Sequence, residues 1–85
     1  MISQSKKNKL IQKLNRASRK RYKTRLYIGY IKCRHNITHG LKQELKKAEK
    51  RKIFFDQEFD DTYDKLIAEG VAKEYIEDRM WYNQL

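Results

Sequence analysis

The chain contains no proline and only three glycines, Gly29, Gly40 and Gly70. Without proline, long helices can run without an imposed kink. With so little glycine there is no material for a flexible linker, and no low-complexity tract or internal repeat is visible. A single cysteine, Cys33, excludes an internal disulfide framework and fits a reducing compartment. A cytoplasmic location is therefore expected. No run of about 18 apolar residues occurs, which excludes a transmembrane helix and leaves no membrane role. The opening Met1-Ile2-Ser3-Gln4-Ser5-Lys6-Lys7 lacks the apolar core of a signal peptide. Residues 1–25 are rich in Lys and Arg and hold no acid. An amphipathic transit peptide is one reading of that stretch. Contact with phosphates is the favoured one.

At 85 residues the chain supports one domain, spanning 1–85. A chain this short buries only roughly 60% of its unfolded surface. The hydrophobic fraction is 39% and the charged fraction 38%, so the core is lean. A second copy, a protein partner or a bound polyanion is expected to supply part of the stability. A catalytic pocket of roughly 300 Å³ or more would strain so small a core, so a non-enzymatic role is expected.

Acids are scarce, and they are unevenly placed. The chain has 21 Lys and Arg against 11 Asp and Glu, for a net charge of +10. Residues 1–52 hold 18 of the bases and two acids, Glu44 and Glu49, for a net +16. Residues 53–85 hold three bases and nine acids, for a net −6. Solubility does not require this segregation, because mixed signs serve it better. The densest run is Arg16, Arg19, Lys20, Arg21, Lys23 and Arg25, six positives within ten residues. Such a run repels itself until phosphates or counterions neutralise it. Lys46, Lys47, Lys50, Arg51 and Lys52 form a second basic run.

The apolar spacing predicts an all-α fold. Leu41, Leu45, Ala48, Lys52, Phe55, Phe59, Thr62 and Leu66 alternate steps of four and three, so they share one helix face. Ile53, Tyr63 and Ile67 are expected to widen that stripe. The helix would run from about Leu41 to Glu69, with Thr38 at its N-cap and Gly70 as its stop. Its charge order opposes the helix dipole, with bases in the first half and acids in the second. Local helix stability does not explain that order, which points to function.

A second helix is predicted from about Ser5 to about Arg34, with Leu10, Ile11, Leu14, Ala17 and Tyr22 along its apolar line. Leu26 to Cys33 is β-branched and aromatic, so a strand competes there. A lone strand has no partner elsewhere in the chain, which favours helix. Asn36 to Gly40 forms the turn. Val71 to Gln84 reads as a short helix with Tyr75, Ile76, Met80 and Trp81 on its apolar side. The expected architecture is a helical hairpin of two long antiparallel helices plus a short C-terminal helix. In that arrangement Arg19 to Lys23 lie opposite Asp56 to Asp64 and can pair with them.

The basic run interleaved with Tyr22, Tyr27 and Tyr30 is the strongest functional signal. Lys and Arg bind phosphates, and aromatic faces stack on unpaired bases. The plainer reading makes the tyrosines core residues with wet hydroxyls. No RNP1 pattern, KH loop, paired-cysteine zinc finger or homeodomain pattern is present, so base-specific reading is not expected. Arg16, Arg19, Lys20, Arg21, Lys23 and Arg25 are the expected phosphate contacts, with Lys46, Lys47, Lys50 and Arg51 as a second patch. RNA is the favoured ligand and DNA the alternative.

Cys33, His35 and His39 are spaced C-x-H-x3-H, which matches no complete zinc pattern, so neither metal nor cofactor is expected. A nuclease using His35 and His39 is the weakest class. The segment from Phe54 to Asp64 is acidic and aromatic. It reads either as a solvated amphipathic face or as a docking surface for a protein. Phe55, Phe59, Asp60, Asp61 and Trp81 are the candidate protein contacts.

Size, a lysine-rich first half and an acidic aromatic tail together make the whole chain resemble small basic early proteins of T-even-type phages. Among these are inhibitors of the type III endoribonuclease toxin ToxN. No motif carries the resemblance, so it transfers no site residue. It implies an RNA-binding protein that blocks a host toxin through a protein–RNA complex, in the host cytoplasm. The alternatives are a DNA-binding architectural or regulatory protein and a protein-only interaction module.

Overall fold

The computed structural model describes residues 2–83. The chain folds as a helical hairpin. Helix α1 spans Gln4–Lys32, α2 spans His39–Ala68, and a short α3 spans Lys73–Asp78. A 3-10 turn, Trp81–Asn83, follows. The stretch from Leu26 to Lys32 is helical. Ile28 and Ile31 are buried at a helical spacing of three, while Tyr27 and Tyr30 face outward.

Each long helix begins on a hydroxyl cap. The Ser3 side chain accepts from the Lys6 N–H, and the Thr38 side chain accepts from the Leu41 N–H at 3.2 Å. Neither helix has an acid in its first turn. At the far end of α2, Gly70 takes φ +85°, a conformation that suits glycine. Its N–H reaches the Ile67 carbonyl, and the Val71 N–H reaches the Leu66 carbonyl. Leu66 and Val71 enter the same apolar cluster, so the reversal is fastened on both its polar and its apolar side.

The core is not spread along the hairpin. Ile11, Leu14, Leu66, Val71, Ile76 and Met80 form one cluster at the open end, where α1, α2 and α3 meet. Nearer the turn between α1 and α2, Ile28, Ile31 and Ala48 are also buried. Between the two lies a half-buried polar stretch containing Arg21, Thr24, Lys52 and Asp56. The molecule is accordingly long, at 53 × 24 × 16 Å. Its accessible surface is 6469 Å². A compact monomer of this mass exposes about 5400 Å². The hairpin thus offers more surface than a chain of this size needs.

Three expectations about the helices change. Ile53 and Ile67 do not widen the buried stripe, since they are 68% and 43% exposed. They lie on flanks of α2 that α1 does not cover. Tyr22 does not join the apolar line either, and instead packs against Trp81 at 5.7 Å between ring centroids. The C-terminal helix stops at Asp78 instead of running on. There the chain turns to bury Met80, and Asn15 of α1 binds the turned backbone. The last residue of the expected helix, Gln84, lies outside the described residues.

Asn15 makes two bonds to this segment. Its Nδ2 donates to the Arg79 carbonyl at 3.0 Å, and its Oδ1 accepts from the Trp81 N–H at 2.8 Å. Trp81 Nε1 in turn donates to Ser18 Oγ at 3.0 Å. Asn15→Ala removes two of these three bonds. The expected cost is about 1–3 kcal/mol, read as a lower urea midpoint. Trp81 emission should shift red before the helices unfold. A simultaneous loss of both signals at the wild-type midpoint contradicts this role.

Candidate nucleic-acid interface

The basic run of α1 divides between two environments. Arg16, Arg19, Lys23 and Arg25 are exposed, whereas Lys20 and Arg21 are half-buried. Helical spacing puts Arg16, Arg19, Lys20 and Lys23 beside one another. They line a shallow depression of about 410 Å³ with Gln12 and Asn15. Residues of α1 alone line it, and no acid is among them.

The half-buried cations are held by aromatic rings as much as by carboxylates. The Arg21 guanidinium sits 4.1 Å above the Phe59 ring, and its Nε is 3.7 Å from Asp56. Lys20 Nζ lies 5.4 Å from the Phe55 ring. Arg19 lies over Trp81 at 5.9 Å. Lys52 donates to Asp56 at 2.8 Å within α2. The expected pairing of Arg19 to Lys23 with Asp56 to Asp64 thus contracts to Arg21 with Asp56. Stacking replaces the other pairs, because aromatic residues of α2 and the C-terminal turn lie where those cations reach. Both pairs to Asp56 are about one-third exposed and contribute about 0–1 kcal/mol each.

The pairs Arg21–Asp56 and Lys32–Glu49, the latter at 3.8 Å, join the antiparallel helices at two levels. In that arrangement Lys46, Lys47, Lys50 and Arg51 flank the end of α1 beyond Arg25. All four are exposed. The two basic patches therefore follow one another along the hairpin instead of merging. From Arg25 to Lys52 the chain carries nine bases and two acids. Leu26, Tyr27 and Tyr30 are exposed in the same region, with Tyr30 at 61%.

The candidate protein contacts separate as well. Phe55 and Phe59 are half-buried along the hairpin, their rings covered by Lys20 and Arg21. Trp81 is half-buried against α1. Asp60 and Asp61 are exposed. Phe54 and Ile53, at 62% and 68% exposure, are the more accessible apolar groups of that segment. His39 Nε2 lies 3.2 Å from Gln43 Nε2, and Cys33 is exposed. Among the described residues, no group of three or more His, Cys, Asp or Glu side chains gathers to hold a metal.

Sequence reasoning missed a cleft on one flank of the hairpin. Ser18, Tyr22 and Arg25 of α1 meet Lys52, Asp56 and Asp60 of α2 there, and the C-terminal turn closes the end with Trp81 and Tyr82. The one available signal was the spacing of Asn15, Ser18 and Tyr22, which aligns three polar groups beside the apolar line. No described helix is long and apolar enough to cross a membrane. No family model matches the chain, and no curated protein or solved structure matches it either.

Proposed function

We propose that this protein is a non-enzymatic RNA-binding protein that acts on a second protein. The observation that carries this reading is the outward face of α1. There Arg16, Arg19, Lys20 and Lys23 gather without an acid among them. Phosphates neutralise such a face and release its counterions. The exposed Tyr27 and Tyr30 beside the second basic patch favour RNA, since unpaired bases stack on aromatic rings. The exposed Asp61 and Phe54, which line one depression with Gln57 and Glu58, offer a surface of opposite character for a protein. The resemblance to phage early proteins makes an endoribonuclease toxin the partner to try first.

A duplex DNA ligand is the second reading, favoured by the 29-residue length of α1. Competition at matched salt separates the two. A single-stranded or hairpin RNA should displace labelled RNA at least about tenfold more effectively than duplex DNA of equal length. Equal or better competition by duplex DNA overturns the RNA assignment.

A further inference from the structure

We propose that the flank cleft binds one unpaired guanine nucleotide. This deepens the RNA-binding reading and rests on it for the source of the nucleotide. The cleft has a volume of about 570 Å³, within the roughly 300–1,000 Å³ of small-molecule sites. Its lining differs from that of the outward face. Arg21, Arg25 and Lys52 share it with two carboxylates, Asp56 and Asp60. A groove that only tracked phosphates would be weakened by those acids. A nucleotide needs both signs, because it carries an anion at one end and N–H donors at the other.

The layout matches that demand. Asp56 is engaged by Lys52 at 2.8 Å and Arg21 at 3.7 Å, midway along the cleft. Arg25 lies one helical turn from Arg21 toward the hairpin turn. Asp60 lies one turn from Asp56 in the opposite direction, because the helices are antiparallel. The two cross-helix pairs thus separate them by about 6–12 Å along the hairpin axis. The upper part of that range is comparable with the span from a nucleotide's phosphate to the far edge of its base. Arg25 would hold the phosphate and Asp60 the base edge. Guanine presents two N–H donors side by side on that edge, which suits the two oxygens of one carboxylate. Adenine, cytosine and uracil present no such pair. In a duplex the same edge is already paired, so the cleft selects an unpaired base.

The base faces are provided for as well. Tyr22 and Tyr82 are 42% and 47% exposed. Trp81 lies between them, with ring centroids at 5.7 Å and 5.9 Å. Inclined to Trp81 by 58° and 78°, the two tyrosine rings make an angled aromatic end to the cleft, where a base can stack on one ring at a time.

Trp81 is the chain's single tryptophan, so its fluorescence reports from the cleft wall. The full chain is titrated with 5′-GMP, 5′-AMP and 5′-CMP, and with RNA hairpins whose loops carry unpaired guanine or adenine. The expected result is a saturable quench with about tenfold preference for guanine in at least one format. Asp60→Ala should erase the preference. Tyr22→Ala should weaken binding of every nucleotide about tenfold. Both side chains are exposed, so helical circular dichroism should not change. RNA binding with equal affinity for both loops and no change in Trp81 emission overturns the cleft proposal and leaves the α1 face standing. A guanine-selective response to 5′-GMP without RNA binding supports the cleft and removes the RNA reading. No response to nucleotide or RNA removes both.

Discussion

Reversing charge at Arg16 and Lys23 should abolish most RNA binding while leaving the fold in place. Both side chains are exposed on the outward face of α1. The double substitution R16E/K23E takes the net charge from +10 to +6 and places two anions where phosphates are expected. The expected loss is about 100-fold at physiological salt. The salt dependence is the sharper signature. Each contact to a single strand contributes about 0.7 to the slope of log affinity against log salt. Losing two contacts should flatten that slope by about 1.4. Charge reversal at Arg19, Lys20 and Arg21 is a poorer test, although these residues stand at the centre of the run. They stack on Trp81, Phe55 and Phe59, so their loss would loosen the hairpin itself. An unchanged affinity and slope in R16E/K23E would place the phosphates elsewhere.

Leu14→Ala should cost about 2–5 kcal/mol of stability. Leu14 is fully buried, and its cluster joins all three helices. Small domains have only about 5–15 kcal/mol in total, so the variant approaches the unfolding threshold. The effect should be non-local. Release of α3 and the following turn removes Trp81 from Ser18, and with it one wall of the cleft. Ile53→Ala is the matched control, because Ile53 is 68% exposed. It should change stability by no more than about 0.5 kcal/mol. Urea unfolding followed by circular dichroism and Trp81 emission reads both. Equal midpoints for the two variants would mean that the core does not lie at the open end.

The two long helices were legible because their apolar residues recur at helical spacing over many turns. Leu41 to Leu66 mark one face, and Thr38 and Gly70 close the ends of α2 as their chemistry suggests. The Leu26 to Lys32 stretch was ambiguous on local preference alone. Burial of Ile28 and Ile31 resolves it, and that burial exists only once the hairpin has closed. The fate of the cations was not legible. Arg19, Lys20 and Arg21 have acids nominally opposite them, yet aromatic rings take most of their contacts. That outcome depends on side-chain reach across the helix pair, which spacing does not encode. The C-terminal turn was hidden for a related reason. Asn15 and Ser18 bind backbone and indole groups more than sixty residues away in sequence. The spacing of Asn15, Ser18 and Tyr22 aligns polar groups beside the apolar line, but it does not name the distant segment they bind.

If RNA neutralises the basic face of α1, it should stay with the protein at low salt. The most direct measurement is to purify the protein at low salt and record absorbance at 260 and 280 nm, before and after separate RNase and DNase digestion. A 260 nm excess that RNase removes and DNase leaves is the expected result. A clean protein spectrum at low salt, with a stoichiometric protein partner that survives nuclease treatment, would contradict it.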